Sequence, residues 1–116
     1  MAHTYGDVIQ EARRILQDTR ESSGFRYETP DLVDKLNNAL SEIYRVRPDA
    51  FFPDYDIPHV TADDLGAEFP IDRTFFLPTV LFVAGMAELR DEEYASDGRA
   101  ATIMSQFIAK IRTSEA

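Results

Sequence analysis

The sequence contains no cysteine and no tryptophan, and its only histidines are His3 and His59. The absence of cysteine excludes a disulfide framework, a thiolate nucleophile and a cysteine-based metal site. The histidines are not clustered with carboxylates at ligand spacing, and neither a triad-like serine arrangement nor a glycine-rich phosphate motif is present. We therefore predict no enzymatic activity, no metal and no cofactor, and we interpret the adjacent Asp63 and Asp64 as a solvated turn.

Basic residues are scarce, 12 against 21 acidic residues, and the net charge is −9. Phosphate contacts to nucleic acid and attraction to anionic membrane surfaces both need basic patches, so the charge balance disfavours both. Long hydrophobic runs are also missing, because the most apolar stretch, residues 75–89, contains a proline and is shorter than the ~20 residues of a spanning helix. The first residues have no signal-like apolar core, and the lack of cysteine suits a reducing cytoplasm.

Two helices are predicted in the first half of the chain. The first spans residues 4–20, Gly24 is its expected left-handed terminator, and its apolar stripe recurs at steps of three and four residues: Val8, Ala12 and Ile15. The second has Thr29 as its N-cap and ends before Pro48. Its buried stripe is predicted to comprise Leu32, Leu36, Ala39, Leu40 and Ile43.

Two further helices are predicted in the second half. The third runs from residue 77 or 78 to about residue 94 and is apolar on almost all sides, which indicates burial. For Phe75, Phe76 and Phe82 two locations remain open, the core of the chain or a contact with another subunit. The fourth helix starts at Ser96 or Asp97 and has a regular apolar stripe of Ala100, Ile103, Met104, Phe107, Ile108 and Ile111.

A long connection lies between the second and third helices. Residues 50–74 have no helical period, and short extended pieces, "IPHVT" and "AEFPI", are candidates for a loose hairpin across the turn "DDLG". The length of 116 residues fits one domain, residues 1–116, with a polar tail at residues 112–116. The predicted fold class is all-α, a small bundle of about four helices with a long loop or loose β-hairpin between the second and third.

The connection is acidic and aromatic at once. Residues 50–74 carry six acidic residues and one basic residue, so this segment has a net charge of −5 within a total of −9. A solvated connection explains the acids and prolines, but it does not explain four large rings, each of which buries ~150–250 Å² when covered. We expect some of these rings to fold back onto the helices and at least two to contact a partner: Phe51, Phe52, Tyr55 and Phe69.

Two stretches resemble the head–tail connector proteins, or adaptors, of tailed bacteriophages. They are "VIQEARRILQDT" and "RYETPDLVDKLNNALSEIYRVRPDAFF", and the later "FFLPTVLFVAGMAELRDEE" and "GRAATIMSQF" are similar to the closing pair of helices in that family. The matching positions are residues 16–18, Tyr27, Leu36, Asn37, Glu42 and residues 47–49. The resemblance covers most of the chain and leaves out residues 54–73.

The resemblance implies a structural role in the virion neck, reached from the host cytoplasm during assembly. Such adaptors form a ring, commonly dodecameric, beneath the phage portal protein and offer a docking surface to the tail terminator or stopper protein. It also implies that the C-terminal stretch, residues 108–116, contacts the portal, which makes its members further candidates: Ile108, Ile111 and Arg112. DNA passes through such a ring without sequence-specific binding, and acidic side chains in the lumen would repel it.

A second reading of the same charge remains open. A small acidic helical binding module, such as an antitoxin or a nucleic-acid mimic, would act as a monomer on the groove of a basic partner. Charge alone does not separate this function from the adaptor function, because both require an acidic surface.

Overall fold

Four α-helices and three short 3-10 helices make up the part of the chain that the structure, a computed structural model, describes: residues 3–18, 27–91 and 97–113. The α-helices are α1 (Tyr5–Leu16), α2 (Thr29–Val46), α3 (Phe76–Asp91) and α4 (Asp97–Thr113). The 3-10 helices are Pro48–Phe51, Ala62–Asp64 and Arg73–Phe75, all in the connection between α2 and α3. No strand forms in the described ranges, so the all-α prediction is confirmed.

α3 is the central helix and packs against α1, α2 and α4. Its apolar character on most sides matches this position, because a helix that packs against three others buries most of its sides. Phe75, just before α3, and Phe82 within it are fully buried, and the Phe82 ring lies 4.7 Å from the ring of Phe107 on α4. The chain's own core therefore accounts for Phe75 and Phe82, and the alternative that these two meet another subunit is corrected.

The apolar stripe of α2 is buried at every predicted position: Leu32, Leu36, Ala39, Leu40 and Ile43. On α1, Val8 and Ala12 are buried as predicted, whereas Ile15 is 50% exposed. Ile15 lies in the last turn of α1, at the edge of a surface groove rather than over the core. The prediction that Ile15 belongs to the core is therefore wrong.

α1 begins as predicted and ends early. The Thr4 hydroxyl accepts from the backbone N–H of Asp7 at 3.1 Å, and the Asp7 carboxylate accepts from the N–H of Thr4 at 2.9 Å, which forms a capping box. The helix ends at Leu16 rather than at residue 20, because Gln17 takes up a left-handed conformation with φ 57°. The predicted terminator, Gly24, lies outside the described residues.

A buried ion pair joins the end of α1 to the start of α2. Arg13 donates to the Asp18 carboxylate and to the Tyr27 carbonyl, both at 2.8 Å, and Asp18 also accepts from the Tyr27 N–H at 2.9 Å. Arg13 reaches the Thr29 hydroxyl at 3.0 Å as well. The prediction that Thr29 is the N-cap is wrong, because Thr29 is the first residue of α2 and its hydroxyl accepts from Arg13. Glu28 occupies the N-cap position and makes no side-chain cap hydrogen bond.

The connection between α2 and α3 returns to the beginning of α1. The first N–H groups of α1 need partners outside the helix, and the connection supplies carbonyls: Tyr5 donates to Ala67 at 3.0 Å and Gly6 to Leu65 at 2.8 Å. A Cβ on residue 6 would lie 2.9 Å from the Leu65 oxygen, so glycine permits this approach. Glu68 pairs with Thr4 in an isolated bridge, and the loose hairpin proposed from sequence does not form.

Candidate protein-contact surface

Arg47 fixes the base of the acidic connection. Its guanidinium donates to the Asp49 carboxylate at 2.9 and 3.0 Å and to the Ile111 carbonyl near the end of α4 at 2.8 Å. It also lies 5.6 Å from the centre of the buried Phe75 ring. The hydrogen bond from Arg47 holds the pKa of Asp49 below its ordinary value, and the same bond raises the pKa of Arg47. The segment after α2 therefore leaves the bundle from a defined position.

Phe51 lies in the core. It is 6% exposed, and its ring packs at 5.5 Å against the ring of Tyr44 on α2. The 3-10 helix Pro48–Phe51 turns this side chain back onto the bundle, so the ring shelters within its own chain. The expectation that Phe51 lies on a partner surface is corrected accordingly.

The next five residues, 52–56, are all exposed, and we call them the aromatic tip. Phe52 is 73% exposed and Tyr55 is 49% exposed, and their rings form an edge-to-face pair with centres 6.1 Å apart. Asp54 and Asp56 complete the tip and give it two negative charges. The tip therefore presents two adjacent rings to solvent within an acidic frame.

The conformation of the tip is set by hydrogen bonds at Tyr55. Its backbone is left-handed, with φ 51°, which is uncommon for a residue with a side chain. The Tyr55 N–H donates to the Phe51 carbonyl at 2.8 Å, and the Tyr55 carbonyl accepts from the Tyr44 hydroxyl at 3.2 Å. An aromatic side chain in an unfavourable backbone region needs such support, and this kind of strain concentrates at functional sites.

Asn37 anchors the connection beyond the tip. Its side-chain amide donates to the Val60 carbonyl at 2.9 Å and accepts from the Val60 N–H at 2.9 Å, so it pairs with both backbone groups of one buried residue. Because Asn37 is on α2, this pair ties the connection to the bundle four residues after the end of the tip. Asn37 is one of the positions that carry the adaptor resemblance, and sequence reasoning gave it no contact of its own.

Asp64 belongs to a capping box rather than to a metal site. Its carboxylate accepts from the Thr61 N–H at 2.8 Å and from the Thr61 hydroxyl at 3.0 Å. These hydrogen bonds lower the pKa of Asp64, with the backbone bond as the largest cause. Asp63 is exposed. Within the ranges 3–18, 27–91 and 97–113, no group of three or more His, Cys, Asp or Glu is placed to hold a metal ion.

Phe69 also lies in the core. It is buried, and its ring packs edge to face against the Phe76 ring with centres 5.8 Å apart. The Phe76 ring also stacks on the His3 ring, with centres 3.9 Å apart. The Phe69 N–H donates to the His3 carbonyl at 2.7 Å. Like Phe51, Phe69 is therefore buried in the core of its own chain, and the expectation that it lies on a partner surface is corrected.

The three C-terminal candidates differ in accessibility. Ile111 is fully buried, Ile108 is partly buried against the core, and Arg112 is exposed. The predicted polar tail begins later than residue 112, because α4 extends to Thr113. Residues 114–116 lie outside the described residues. Of the predicted C-terminal contacts, Ile111 is not available on the surface of the chain and Arg112 is.

A second apolar surface was not found from sequence. We call it the α3–α4 groove: a depression of about 310 Å³ whose lining includes Ile15, Leu81, Gly85, Ile103, Phe107 and Lys110. Leu81 is 36% exposed, and Leu77, one turn earlier on α3, is 58% exposed. The exposed Ile15 that contradicted the core prediction therefore contributes to this surface.

Comparisons with known proteins identify no family for this chain. No family model matches it, and neither the curated proteins nor the solved structures contain a match. In the described part of the chain, no helix has the length and apolar character needed to span a membrane.

Proposed function

We propose that this chain is a structural protein of the virion, a head–tail adaptor that assembles as a ring beneath the phage portal and offers a docking surface to the tail terminator or stopper. The proposal includes no catalytic step and no cofactor. The observation that carries it is the aromatic tip, two solvent-exposed rings held in a defined conformation. The resemblance of the sequence to the adaptor family supplies the identity of the partners.

The exposed rings of the tip contribute favourable free energy of burial only when a partner covers them. At their observed exposures of 73% and 49%, the rings of Phe52 and Tyr55 present roughly 250 Å² together. Burial of that area contributes about 6 kcal/mol at ~25 cal/mol per Å². A protein that keeps such rings in water while it fixes their backbone is therefore organised for contact.

A burial free energy of this size favours assembly into an oligomeric ring over a simple dimer. Association costs on the order of 4–15 kcal/mol in lost translational and rotational freedom, so one tip alone gives weak binding. Copies that bind side by side on a symmetric portal raise the effective concentration of each further contact. We therefore expect weak self-association in free solution and stable assembly on a portal vertex.

The decisive experiment uses DNA-filled, tailless heads that carry the portal. We expect the wild-type chain to bind these vertices as a ring, visible by electron microscopy. The double variant Phe52→Ala/Tyr55→Ala should remain folded by circular dichroism and fail to assemble. The matched control, Asp54→Asn/Asp56→Asn, keeps both rings, removes the tip charge and should still assemble.

The outcomes separate the proposal from its parts. If the Phe52→Ala/Tyr55→Ala variant assembles normally, the tip is not part of the contact surface, and the adaptor function still stands. Failure of the wild-type chain to bind any portal vertex, together with tight monomeric binding to a basic protein, would overturn the adaptor function.

A second candidate function rests on the exposed acids of the connection. Asp54, Asp56 and Asp63 all point their charge into solvent, as an acidic module for a basic partner requires. For that function the roles of the two double variants reverse: loss of Asp54 and Asp56 should weaken binding to a basic nuclease or toxin more than loss of the rings. Measurement of both variants against the same partner distinguishes the two functions.

A further inference from the structure

We infer that the aromatic tip of one copy inserts into the α3–α4 groove of the next copy, a head-to-tail contact that deepens the proposed ring and rests on it. Each chain then carries both a projecting element and a receiving one. Three features of the molecule favour this contact: the size of the groove, its charge, and the separation of the two surfaces.

The groove has room for the two rings. An apolar cavity of ~150 Å³ accommodates one benzene, and the α3–α4 groove measures about 310 Å³. Phe52 and Tyr55 together present two such rings, already paired edge to face. The groove wall is largely apolar and includes Leu81 on α3 together with Ile103 and Phe107 on α4.

Charge favours the acidic tip over a neutral occupant. The aromatic tip, residues 52–56, contains two acidic residues and no basic one, whereas residues 103–113 contain Lys110 and Arg112 and no acidic residue. Lys110 lines the groove and Arg112 is exposed nearby on α4. Because Glu88 of α3 also lines the groove, we expect the acidic tip to be attracted to the α4 side of the groove, where Lys110 lies.

The two surfaces have no residue in common. The groove is formed by the end of α1, α3 and α4, and the tip lies between two 3-10 helices after α2. A contact between two different patches is heterologous and repeats from copy to copy, and it produces a ring when the rotation closes. An isologous dimer, by contrast, would use a single patch twice.

Crosslinking provides the test, because the natural chain has no cysteine. Asp54→Cys places a thiol in the tip beside the retained rings, and Gln106→Cys places one in the exposed part of the groove wall. Mixed single-cysteine variants, bound to portal vertices and treated with a short bismaleimide, should crosslink between copies. The control pair, Asp63→Cys with Gln106→Cys, should not.

A charge substitution adds a second measurement. Leu81→Glu puts a negative charge into the groove opposite the acidic tip, and juxtaposed like charges should lower the crosslinked fraction by roughly tenfold or more. Leu77→Glu makes the same change one turn away, outside the groove lining, and should leave crosslinking nearly unchanged. Both positions are solvent-exposed, so the fold should tolerate either substitution.

Each outcome decides the inference. Crosslinks between the Asp54→Cys and Gln106→Cys variants that Leu81→Glu abolishes would support it. Normal assembly on the portal, with the tip thiol crosslinked to the portal and never to the groove of another copy, would overturn it and leave the adaptor function intact. If the chain does not bind a portal, the adaptor function fails, and crosslinking of the free chains at high concentration then decides the head-to-tail contact by itself.

Discussion

Substitution of Asn37 tests whether a single amide holds the connection against the bundle. In Asn37→Asp the side chain keeps its acceptor for the Val60 N–H but loses the donor that now lies 2.9 Å from the Val60 carbonyl. Loss of a neutral hydrogen bond costs ~1 kcal/mol, and an unpaired buried carbonyl costs ~1–3 kcal/mol more. We therefore expect the free energy of unfolding to fall by about 2–4 kcal/mol, a large part of the ~5–15 kcal/mol typical of a domain.

The neighbouring residue provides the matched control. Asn38→Asp makes the same change in charge on the same helix at an exposed position, so it should stay within ~0.5 kcal/mol of wild type. Urea unfolding followed by circular dichroism at pH 7 measures both variants. Equal stability of the two variants would refute the anchoring role of Asn37.

The pH dependence gives an independent check on the same variant. At pH 7 the new carboxylate at position 37 faces the Val60 carbonyl with no proton to donate. In acid the protonated carboxyl has an O–H that can take the place of the lost amide donor. The deficit of Asn37→Asp relative to Asn38→Asp should therefore shrink in acid, when the protonated group can again donate to Val60.

Three further predictions concern the core, the surface and the pH dependence of the wild-type chain. Arg13→Met should cost ~3–5 kcal/mol in urea unfolding, because it removes the charged partner of the buried Asp18 carboxylate, whereas Arg14→Met removes only an exposed pair and should cost less than ~1 kcal/mol. Phe51→Ala should cost ~3–5 kcal/mol as a buried ring is lost, while Phe52→Ala should change stability by less than ~0.5 kcal/mol. The lowered pKa of Asp64 means that its contribution is present above the unfolded value of 3.8 and is lost as the pH falls through the folded value, so the difference in urea midpoint between wild type and Asp64→Asn should vanish in acid.

Contrary results would each remove one structural argument. Equal costs for the two arginine variants would show that the buried Arg13–Asp18 pair does not stabilise the link from α1 to α2. A stable Phe51→Ala variant would return this ring to the list of partner contacts. A constant difference in midpoint from pH 7 to acid would mean that the Thr61 hydrogen bonds do not distinguish the folded state.

Sequence periodicity predicted the bundle well because it depends on local geometry. The α2 stripe from Leu32 to Ile43 repeats at helical spacing, and all of its positions are buried. Thr4 marked a helix start because its hydroxyl caps the first turn, and Pro48 marked a helix end because its ring restricts the backbone. Such signals act within one or two turns, so a single stretch of sequence contains them.

The candidate surface was less predictable because it depends on contacts between distant residues. Phe51 and Phe52 are neighbours of the same type, and the turn of one 3-10 helix buries the first and exposes the second. Thr29 has the residue type of a cap, but it is the first residue of α2 and its hydroxyl accepts from Arg13, 16 positions earlier. Ile15 belongs to an amphipathic stripe, but periodicity does not tell where the neighbouring helices leave a groove.

Arg47 connects the start of the acidic connection with the end of α4. One guanidinium holds both the stem of the segment that leads to the tip and the main chain near the end of α4. The Arg47 side chain therefore links the position of that stem directly to the end of α4. For the same reason, a variant of Arg47 disturbs both regions together, and only paired substitutions elsewhere can assign a defect to either one.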